Sequence, residues 1–366
     1  MNTNLSKTHD AFLGLVRLGI GHSNNIDYSD GVDWLRLKAL ADAQGLSSVI
    51  LDGINQIYSE GWDEQVAMPQ TLRLVWAGEV MQMETRNDEQ SRMAGSMGDM
   101  FHSNHLRTYV LKGAVIAECY PNPKHRLSVD MDCFLLPSDG DFDAWKLGND
   151  LVRAKGYEVG EGFYKNSSFH LPGLTVENHR FMTPFRGNMR LRELEKVLQS
   201  MMGLDEGENR FEGTWLYRPP VMVSALFLIE HAYSHFLHEG LTWRMILDWM
   251  LFNDKHEDEI DRTKLEALID EFGFRKFFDS FSRLGEYLIG KLNIESLGVA
   301  DKKMLEDVWA PLDMHASLQG VKAKFQLAGN YWRARWKYKY FTDMTWIRAL
   351  MEWVVGAVID RHPKLD

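Results

Sequence analysis

The stretch that decides the fold runs from Tyr109 to Leu136 and reads YVLKGAVIAECYPNPKHRLSVDMDCFLL. Its pattern predicts a strand that ends at Lys112-Gly113, then a short helix and a turn, and then a second strand. The second strand carries Asp130 and Asp132. Because residues two apart on a strand point to the same face, these two carboxylates should lie side by side.

The pair of carboxylates has apolar neighbours. These neighbours favour burial: Val129, Met131, Phe134, Leu135 and Leu136. Two like charges beside a core are costly unless something neutralises them, and a divalent cation is a common solution. We therefore predict a metal site at Asp130 and Asp132. The plainer interpretation, that of turn or surface acids, applies to most isolated pairs of this kind.

Composition limits the classes of function. The chain has 366 residues, more than one core usually contains, so two or three packed units are expected. Its apolar fraction of 45% and charged fraction of 25% are ordinary for a soluble globular protein. A net charge of −11 argues against a long nucleic-acid groove, which needs clustered Lys and Arg, and favours small substrates or a protein partner. With Cys119 and Cys133 alone, neither a disulfide framework nor a cysteine-rich metal site is available.

Neither end of the sequence has the pattern of a membrane or export segment. The first apolar stretch carries Asp10 and Arg17 and lacks the layout of a signal peptide. The apolar stretch Thr345–Ile359 is interrupted by Arg348 and Glu352 and is too short to span a bilayer. We expect a cytoplasmic protein without membrane contact.

The pattern along the chain predicts an α+β fold, with a small mixed sheet between two helical regions. We expect a helical N-terminal region at 1–105, a mixed core at 106–202 and a helical C-terminal region at 203–366. Within the first region, residues 70–105 indicate one or two helices. Strands are predicted at Thr108–Leu111, Ser128–Leu136, Tyr157–Val159, Tyr164–Leu171 and Leu174–Phe181. Pro172-Gly173 suits a tight turn, so the last two strands should form a hairpin.

Glu177 lies on the second strand of this hairpin, between Val176 and His179. If that strand lies beside the one that carries Asp130 and Asp132, three carboxylates meet. They can hold one or two Mg²⁺ ions, which also bind substrate phosphates. Two such ions stabilise both the attacking and the leaving oxygen of an in-line phosphoryl displacement.

The turn before the first helix suits a triphosphate. Lys112-Gly113 would offer backbone N–H groups and the positive end of a helix dipole. Glycine is favoured because the backbone must approach the phosphates closely. Lys112 or Arg126 would add positive charge against the negative charge that develops in the transition state. We therefore predict Lys112, Gly113 and Arg126 as nucleotide-binding residues.

These residues resemble a known family. The sequence order is LKG (Leu111–Gly113), CYPNP (Cys119–Pro123), R-x3-DMDCFLL (Arg126–Leu136) and VENH (Val176–His179). This order is similar to that of the uncharacterised nucleotidyltransferase family of the polymerase-β-type superfamily. The specific likeness covers Val110 to about Phe181, and weaker likeness extends to Asp33–Leu46 and Glu230–Trp249.

The resemblance implies a small mixed sheet with metal carboxylates on two neighbouring strands. The implied reaction is Mg²⁺-dependent transfer of NMP from an NTP to an unknown small-molecule or protein acceptor, with two ions when NTP is bound. By position, the resemblance places Gly113 in the phosphate-binding turn. It assigns Asp130 and Asp132 to the metal pair and Glu177 to the third carboxylate. Arg126 and His179 match positions that recur in the family. Asp130, Asp132 and Glu177 are accordingly the predicted catalytic residues.

One departure from the superfamily leaves an alternative open. Lys112-Gly113-Ala114 stands where the broader superfamily often has Gly-Ser, so a hydroxyl contact to phosphate is missing. The alternative is a non-catalytic nucleotide-binding or interaction protein that retains the fold. The acceptor, the choice of NTP and the oligomeric state are not determined by the resemblance.

A predicted helix from Val221 to His238 places three histidines opposite its apolar stripe. With His179, we consider His231, His235 and His238 as candidate cleft-lining residues. Ordinary hydrogen-bonded histidines are the other main interpretation, and a transition-metal site at the i, i+4 pair is a third.

The segment YWRARWKYKYF (Tyr331–Phe341) interleaves aromatic and basic residues. It suits stacking on bases and contacts to phosphates, as in RNA modification. The favoured interpretation is that its rings pack inward while the basic stems cover apolar surface. The pattern leaves strand and helix open. Nearby, Arg244 and Asp248 are expected to form an i, i+4 ion pair.

Overall fold

The computed structural model describes residues 3–23, 32–59, 68–160, 164–205, 207–310, 332–358 and 365. Within them the fold is α+β, as predicted, with a six-stranded mixed sheet between helical N-terminal and C-terminal regions. Among the described residues, no helix combines the length and the apolar character that crossing a bilayer requires.

Helices make up the N-terminal region. They are α1 (Thr3–Gly19), α2 (Trp34–Gln44), α3 (Ser47–Ser59) and α4 (Gln70–His102). The side chain of Asp33 accepts a hydrogen bond from the N–H of Arg36 and so caps the start of α2. Gly45 ends that helix in a left-handed conformation, with φ of 69°. Residues 70–102 form a single helix.

The sheet has the strand order β3-β4-β5-β2-β1-β6. Its strands are β1 (Leu106–Val110), β2 (Asp130–Pro137), β3 (Val159–Gly160), β4 (Asn166–Leu171), β5 (Leu174–His179) and β6 (Leu216–Tyr217). The predicted hairpin is confirmed, since β4 and β5 are antiparallel and Leu171 pairs with Leu174. β1 and β2 are antiparallel, whereas β5 runs parallel to β2. The two-residue β6, parallel to β1, was not predicted.

Short helices connect the strands. They are α5 (Ala114–Ala117), a single-turn 3-10 helix (Pro123–His125) and α6 (Ala144–Ala154), and α7 (Met189–Gly203) follows β5. The C-terminal region comprises α8 (Val221–His238), α9 (Trp243–Lys255), α10 (Arg262–Glu271), α11 (Arg275–Leu288), α12 (Val299–Trp309), α13 (Arg335–Phe341) and α14 (Trp346–Val358).

The two faces of the sheet pack against different helices. On one face, α6 approaches so closely that a side chain on Gly148 would meet Leu135. On the other face, the ring of Phe227 in α8 packs edge-on against His179, with 6.2 Å between centroids. Asp132 lies on this second face, so its carboxylate is enclosed between the sheet and α8.

The basic-aromatic segment contains helix α13, and one side of this helix is buried. Lys337 is buried and donates to the carbonyl of Phe236 and to Asp307. Tyr338 and Phe341 are also buried. Inward packing of this segment is therefore confirmed for α13, while Tyr331 lies outside the described residues.

Candidate functional site

The sheet brings the predicted carboxylates together. In the parallel pair β2–β5, Asp132 lies directly opposite Glu177. Asp130 precedes Asp132 by two residues and shares its face. One ligand atom each from Asp132, Glu177 and His179 lies within 4.8 Å of the others. The carboxylates of two neighbouring strands thus converge on one point.

Lys112 occupies the space between the two aspartates. Its Nζ lies 3.1 Å from Oδ2 of Asp132 and 4.0 Å from Oδ1 of Asp130. Burial disfavours the ammonium, but the two carboxylates outweigh that cost and raise the pKa of Lys112. The same Nζ lies 3.4 Å from Nε2 of His231. In this structure Lys112 is the counter-charge of the aspartate pair.

His179 lies beneath the carboxylates and is 2% exposed, so we correct its predicted place on a cleft wall. Its Nε2 lies 2.9 Å from Oδ1 of Asp132 and 3.6 Å from Oε2 of Glu177, and its Nδ1 lies 3.2 Å from the carbonyl oxygen of Phe181. Both ring nitrogens therefore face acceptors, which favours the doubly protonated ring. Burial opposes that charge, but the hydrogen bonds to Asp132 and Glu177 outweigh it and raise the pKa of His179.

The three carboxyl groups differ in their electrostatics. Burial favours the neutral acid at Asp132, yet Lys112 and His179 outweigh it and hold the pKa of Asp132 far below its usual range. The hydrogen bond from His179 lowers the pKa of Glu177. At Asp130 burial is the largest effect and raises the pKa of that carboxyl. Asp132 and Glu177 are thus firmly ionised, whereas Asp130 binds a proton more readily.

These residues fit a Mg²⁺ ion. Oδ2 of Asp132 is buried and, among the described residues, has no hydrogen-bond partner of good geometry. Asn166 donates to Oε2 of Glu177 at 2.7 Å and fixes that side chain. Mg²⁺ prefers oxygen ligands, which Asp130, Asp132 and Glu177 supply. With both ring nitrogens engaged, His179 acts as an outer partner that orients two of these ligands.

The predicted turn at Gly113 has the backbone conformation that glycine permits. Its φ is 70° and its ψ is −103°. A Cβ at this position would lie 3.2 Å from Oγ of Ser128, a close approach. α5 begins directly after Gly113 but spans only four residues, so its dipole is small compared with that of a long helix.

Ser128 is a site residue that the sequence reasoning missed. Its hydroxyl lies beside the Gly113 turn and borders the same cavity as Lys112, Gly113 and Asp130. The signal was present in the sequence, because Ser128 precedes Asp130 by two residues and extends the period of the Asp130–Asp132 pair. A hydroxyl therefore accompanies the turn, although Ala114 does not provide it.

A cavity of about 340 Å³ opens beside this turn. Lys112, Gly113, Ser128 and Asp130 form one part of its wall. Apolar side chains form another part: Ala94, Val110, Met131, Leu174, Phe211 and Leu216. A charged end next to an apolar chamber suits a molecule that carries both phosphates and a base or sugar.

The structure gives Arg126 a different partner from the predicted phosphate. Arg126 is 6% exposed and its guanidinium donates to both oxygens of Asp248, at 2.8 and 2.7 Å. The hydroxyl of Tyr120 donates to the same carboxylate at 2.7 Å. The expected Arg244–Asp248 pair is therefore wrong: Arg244 instead donates to the carbonyl of Leu127 at 2.8 Å. Arg126 borders the cavity, but its charge is already neutralised.

The histidines of α8 are divided between two cavities. His231 borders a small cavity with Lys112, Gly113 and Asp130. Burial and the nearby ammonium hold the pKa of His231 well below its usual range, so its neutral ring can accept a hydrogen bond from Lys112. His235 and His238 border a different cavity. Among the described residues, the group with metal-ligand spacing is Asp132, Glu177 and His179, and it includes no histidine of α8.

One of three comparisons with known proteins found a match. A search of curated proteins and a search of solved structures returned no match. A family model described as "Uncharacterised nucleotidyltransferase" matches residues 30–290. This range covers most of the chain and includes the carboxylate strands, the Gly113 turn and α8. The chain therefore belongs to the uncharacterised nucleotidyltransferase family.

Proposed function

We propose that this protein transfers NMP from an NTP to a hydroxyl or similar acceptor in a Mg²⁺-dependent reaction. The observation that carries the proposal is the direct pairing of Asp132 with Glu177, which joins the carboxylates of β2 and β5. Asp130, Asp132 and Glu177 would hold the metal. The metal would supply charge stabilisation at the phosphates and at the attacking and leaving oxygens.

The residues of the chain prepare the site for this reaction. Gly113 lets the backbone approach the phosphates, and Ser128 lies beside it to donate a hydrogen bond. Lys112 would meet negative charge that develops as the bond from the α-phosphorus to pyrophosphate breaks. His179 keeps Asp132 and Glu177 ionised and oriented.

Glu177 is placed to act on the acceptor. Its side chain is 36% exposed, whereas that of Asp132 is 2% exposed. An acceptor that arrives from solvent would thus meet Glu177 before Asp132. Glu177 would orient the acceptor or accept its proton while the acceptor oxygen bonds to the α-phosphorus and pyrophosphate leaves.

Titration of the protein with Mg²⁺ and each NTP, followed by calorimetry or thermal shift, tests this proposal. We expect binding by the wild type, and loss of the Mg²⁺-dependent part in Asp130→Asn and Asp132→Asn. Asp139→Asn is the matched control, because Asp139 is exposed in the loop after β2. Equal responses from all four proteins would eliminate the carboxylate site.

The position of Lys112 supports a second candidate function, nucleotide binding without turnover. Its ammonium already neutralises the aspartate pair, so a metal must displace it. If it stays in place, the protein would bind nucleotide without turnover. Incubation with α-labelled NTPs and cell lysate separates the two functions, since only the enzyme transfers label to an acceptor. Label transfer that survives in Asp132→Asn would contradict both.

A further inference from the structure

A second cavity, of about 560 Å³, lies along α8 beyond the carboxylate site. It shares no lining residue with the cavity at the Gly113 turn. Its walls come from the segment before β4, the segment before α7, the C-terminal half of α8, and α13 and α14. Its volume falls in the range of about 300 to 1,000 Å³ that is usual for small-molecule sites.

Glu230 borders this cavity and is in an unusual state. It is 1% exposed, and neither of its carboxylate oxygens has a hydrogen-bond partner among the described residues. Glu195, which is 0% exposed, is the opposite case: it accepts hydrogen bonds from the backbone N–H groups of Met182 and Thr183. A buried carboxylate without a partner is costly, and a ligand that supplies the partner would remove that cost.

Two connections place this cavity next to the carboxylate site. Glu230 interacts electrostatically with Lys165 and, less strongly, with His179, the residue that donates to Asp132. Tyr164, on the cavity wall, precedes Asn166 by two residues, and Asn166 donates to Glu177. The three carboxylates do not themselves border the cavity, but the neighbours of Glu177 and Asp132 connect them to its lining.

The charges and rings of the cavity favour a cation. Carboxylates of Glu230, Glu239 and Glu352 border it together with the guanidinium of Arg186, and Glu352 is paired with Arg348 at 3.0 Å. His235 also borders it, but its Nδ1 lies 2.8 Å from Glu239. Three tyrosines add aromatic surface: Tyr164, Tyr233 and Tyr338. Carboxylates combined with aromatic faces are the groups that bind ammonium ions.

We propose that this cavity binds the acceptor, and that the acceptor carries a protonated amine whose N–H groups pair with Glu230. The amine is the recognition element, and the reacting hydroxyl would lie toward Glu177. The role as acceptor site rests on the proposed nucleotidyl transfer, whereas amine binding does not. The ligand class is thus a small amine with a hydroxyl group.

Amine recognition is tested without nucleotide or metal. Tyramine is the probe, and 4-(2-hydroxyethyl)phenol, which replaces the amine with a hydroxyl, is its neutral match. Calorimetry or ligand-observed NMR would be carried out at about pH 8, where the amine is protonated. We expect the wild type to bind tyramine about tenfold more tightly than the neutral match, as a charge-assisted bond worth about 1.4 kcal/mol implies.

Variants assign the preference to Glu230. Glu230→Gln keeps the shape of the side chain and should abolish the preference. Glu195→Gln, at a buried carboxylate outside the cavity lining, and Asp130→Asn, at the metal site, should both retain it. Equal affinities in the wild type, no binding of either probe, or a preference that survives in Glu230→Gln would overturn the proposal.

The acceptor role has a separate readout. Saturating tyramine should block label transfer from α-labelled NTP to the lysate acceptor while leaving the Mg²⁺·NTP thermal shift unchanged. Undiminished transfer to the lysate acceptor with tyramine bound would overturn the acceptor assignment. If the wild type shows neither a Mg²⁺·NTP shift nor label transfer, the proposed function fails instead, and the amine preference still decides whether Glu230 forms a binding site.

Discussion

Replacement of Glu230 with glutamine should stabilise the protein in a pH-dependent way. Burial raises the pKa of Glu230 from 4.5 to about 7 in the folded protein. The folded state therefore holds a proton that the unfolded state loses between these two values. The stabilising contribution of this group is fully present below about pH 4.5. It declines as the pH rises from there and is lost above about pH 7.

The size of the effect follows from the shift. A rise of about 2.5 pKa units corresponds to about 3 kcal/mol of unfolding free energy, at 1.36 kcal/mol per unit. Glutamine resembles the protonated acid and does not titrate, so the variant avoids this loss. We expect the stability of Glu230→Gln relative to wild type to increase by about 2.5 kcal/mol between pH 5 and pH 8, since part of the total effect lies below pH 5.

Urea unfolding monitored by circular dichroism across this pH range measures the effect. Glu158→Gln is the matched control, because Glu158 is exposed, and its relative stability should change by less than about 0.5 kcal/mol. A pH-independent difference between Glu230→Gln and the wild type would refute the reasoning. It would mean that Glu230 finds a partner in the folded protein.

Three further substitutions address the carboxylate site. Gly113→Ala forces a side chain into a left-handed conformation and toward Ser128, so we expect a loss of about 1 to 2 kcal/mol in urea unfolding and weaker Mg²⁺·NTP binding in calorimetry. Arg126→Met leaves Asp248 buried with the Tyr120 hydroxyl but without its charged partner, so we expect a stability loss of about 3 to 5 kcal/mol. Loss of NTP binding with unchanged stability would instead support a phosphate contact. His179→Phe removes the donor to Asp132 and should cost about 2 to 4 kcal/mol of unfolding free energy at neutral pH. Because the pKa of His179 is raised in the folded protein, its protonated ring stabilises the fold below that pKa. The difference in stability from the wild type should therefore shrink as the pH rises above the pKa of the folded protein.

The sequence predicted the local parts of this site well. The alternation around Asp130 and Asp132 gave their shared face, and the positive φ of Gly113 agrees with the need for glycine. The hairpin that carries Glu177 followed from its Pro172-Gly173 turn. The residue patterns alone do not predict that β5 lies beside β2. The family resemblance implies this adjacency.

Long-range partners were not predictable from spacing. The i, i+4 distance suggested Arg244 for Asp248, but the carboxylate lies against Arg126, 122 positions earlier in the chain. Burial of two charges requires the best geometry available, and the bidentate guanidinium of Arg126 supplies it. The charge of Arg126 is thereby neutralised within the protein, and its contact to a phosphate stays a prediction.

The periodic pattern of α8 does not predict the burial of its polar residues, because the helix is enclosed on most sides. Its apolar stripe was identified, but Ser224 and Glu230 are as buried as the stripe itself. A periodic pattern assigns polar residues to solvent, whereas α8 lies between the sheet and the C-terminal helices. The pattern therefore does not single out Glu230, which is buried without a hydrogen-bond partner among the described residues.

The position of Lys112 would make its ammonium compete with a metal ion for the aspartate pair. A free metal ion would have to displace an ammonium that is held in place by its own chain, at a high effective concentration. We expect Mg²⁺ alone to bind weakly for this reason. An incoming Mg²⁺·NTP complex would change this competition, because its phosphates would offer the released ammonium a new partner. Metal loading and nucleotide arrival would thus be coupled through one side chain.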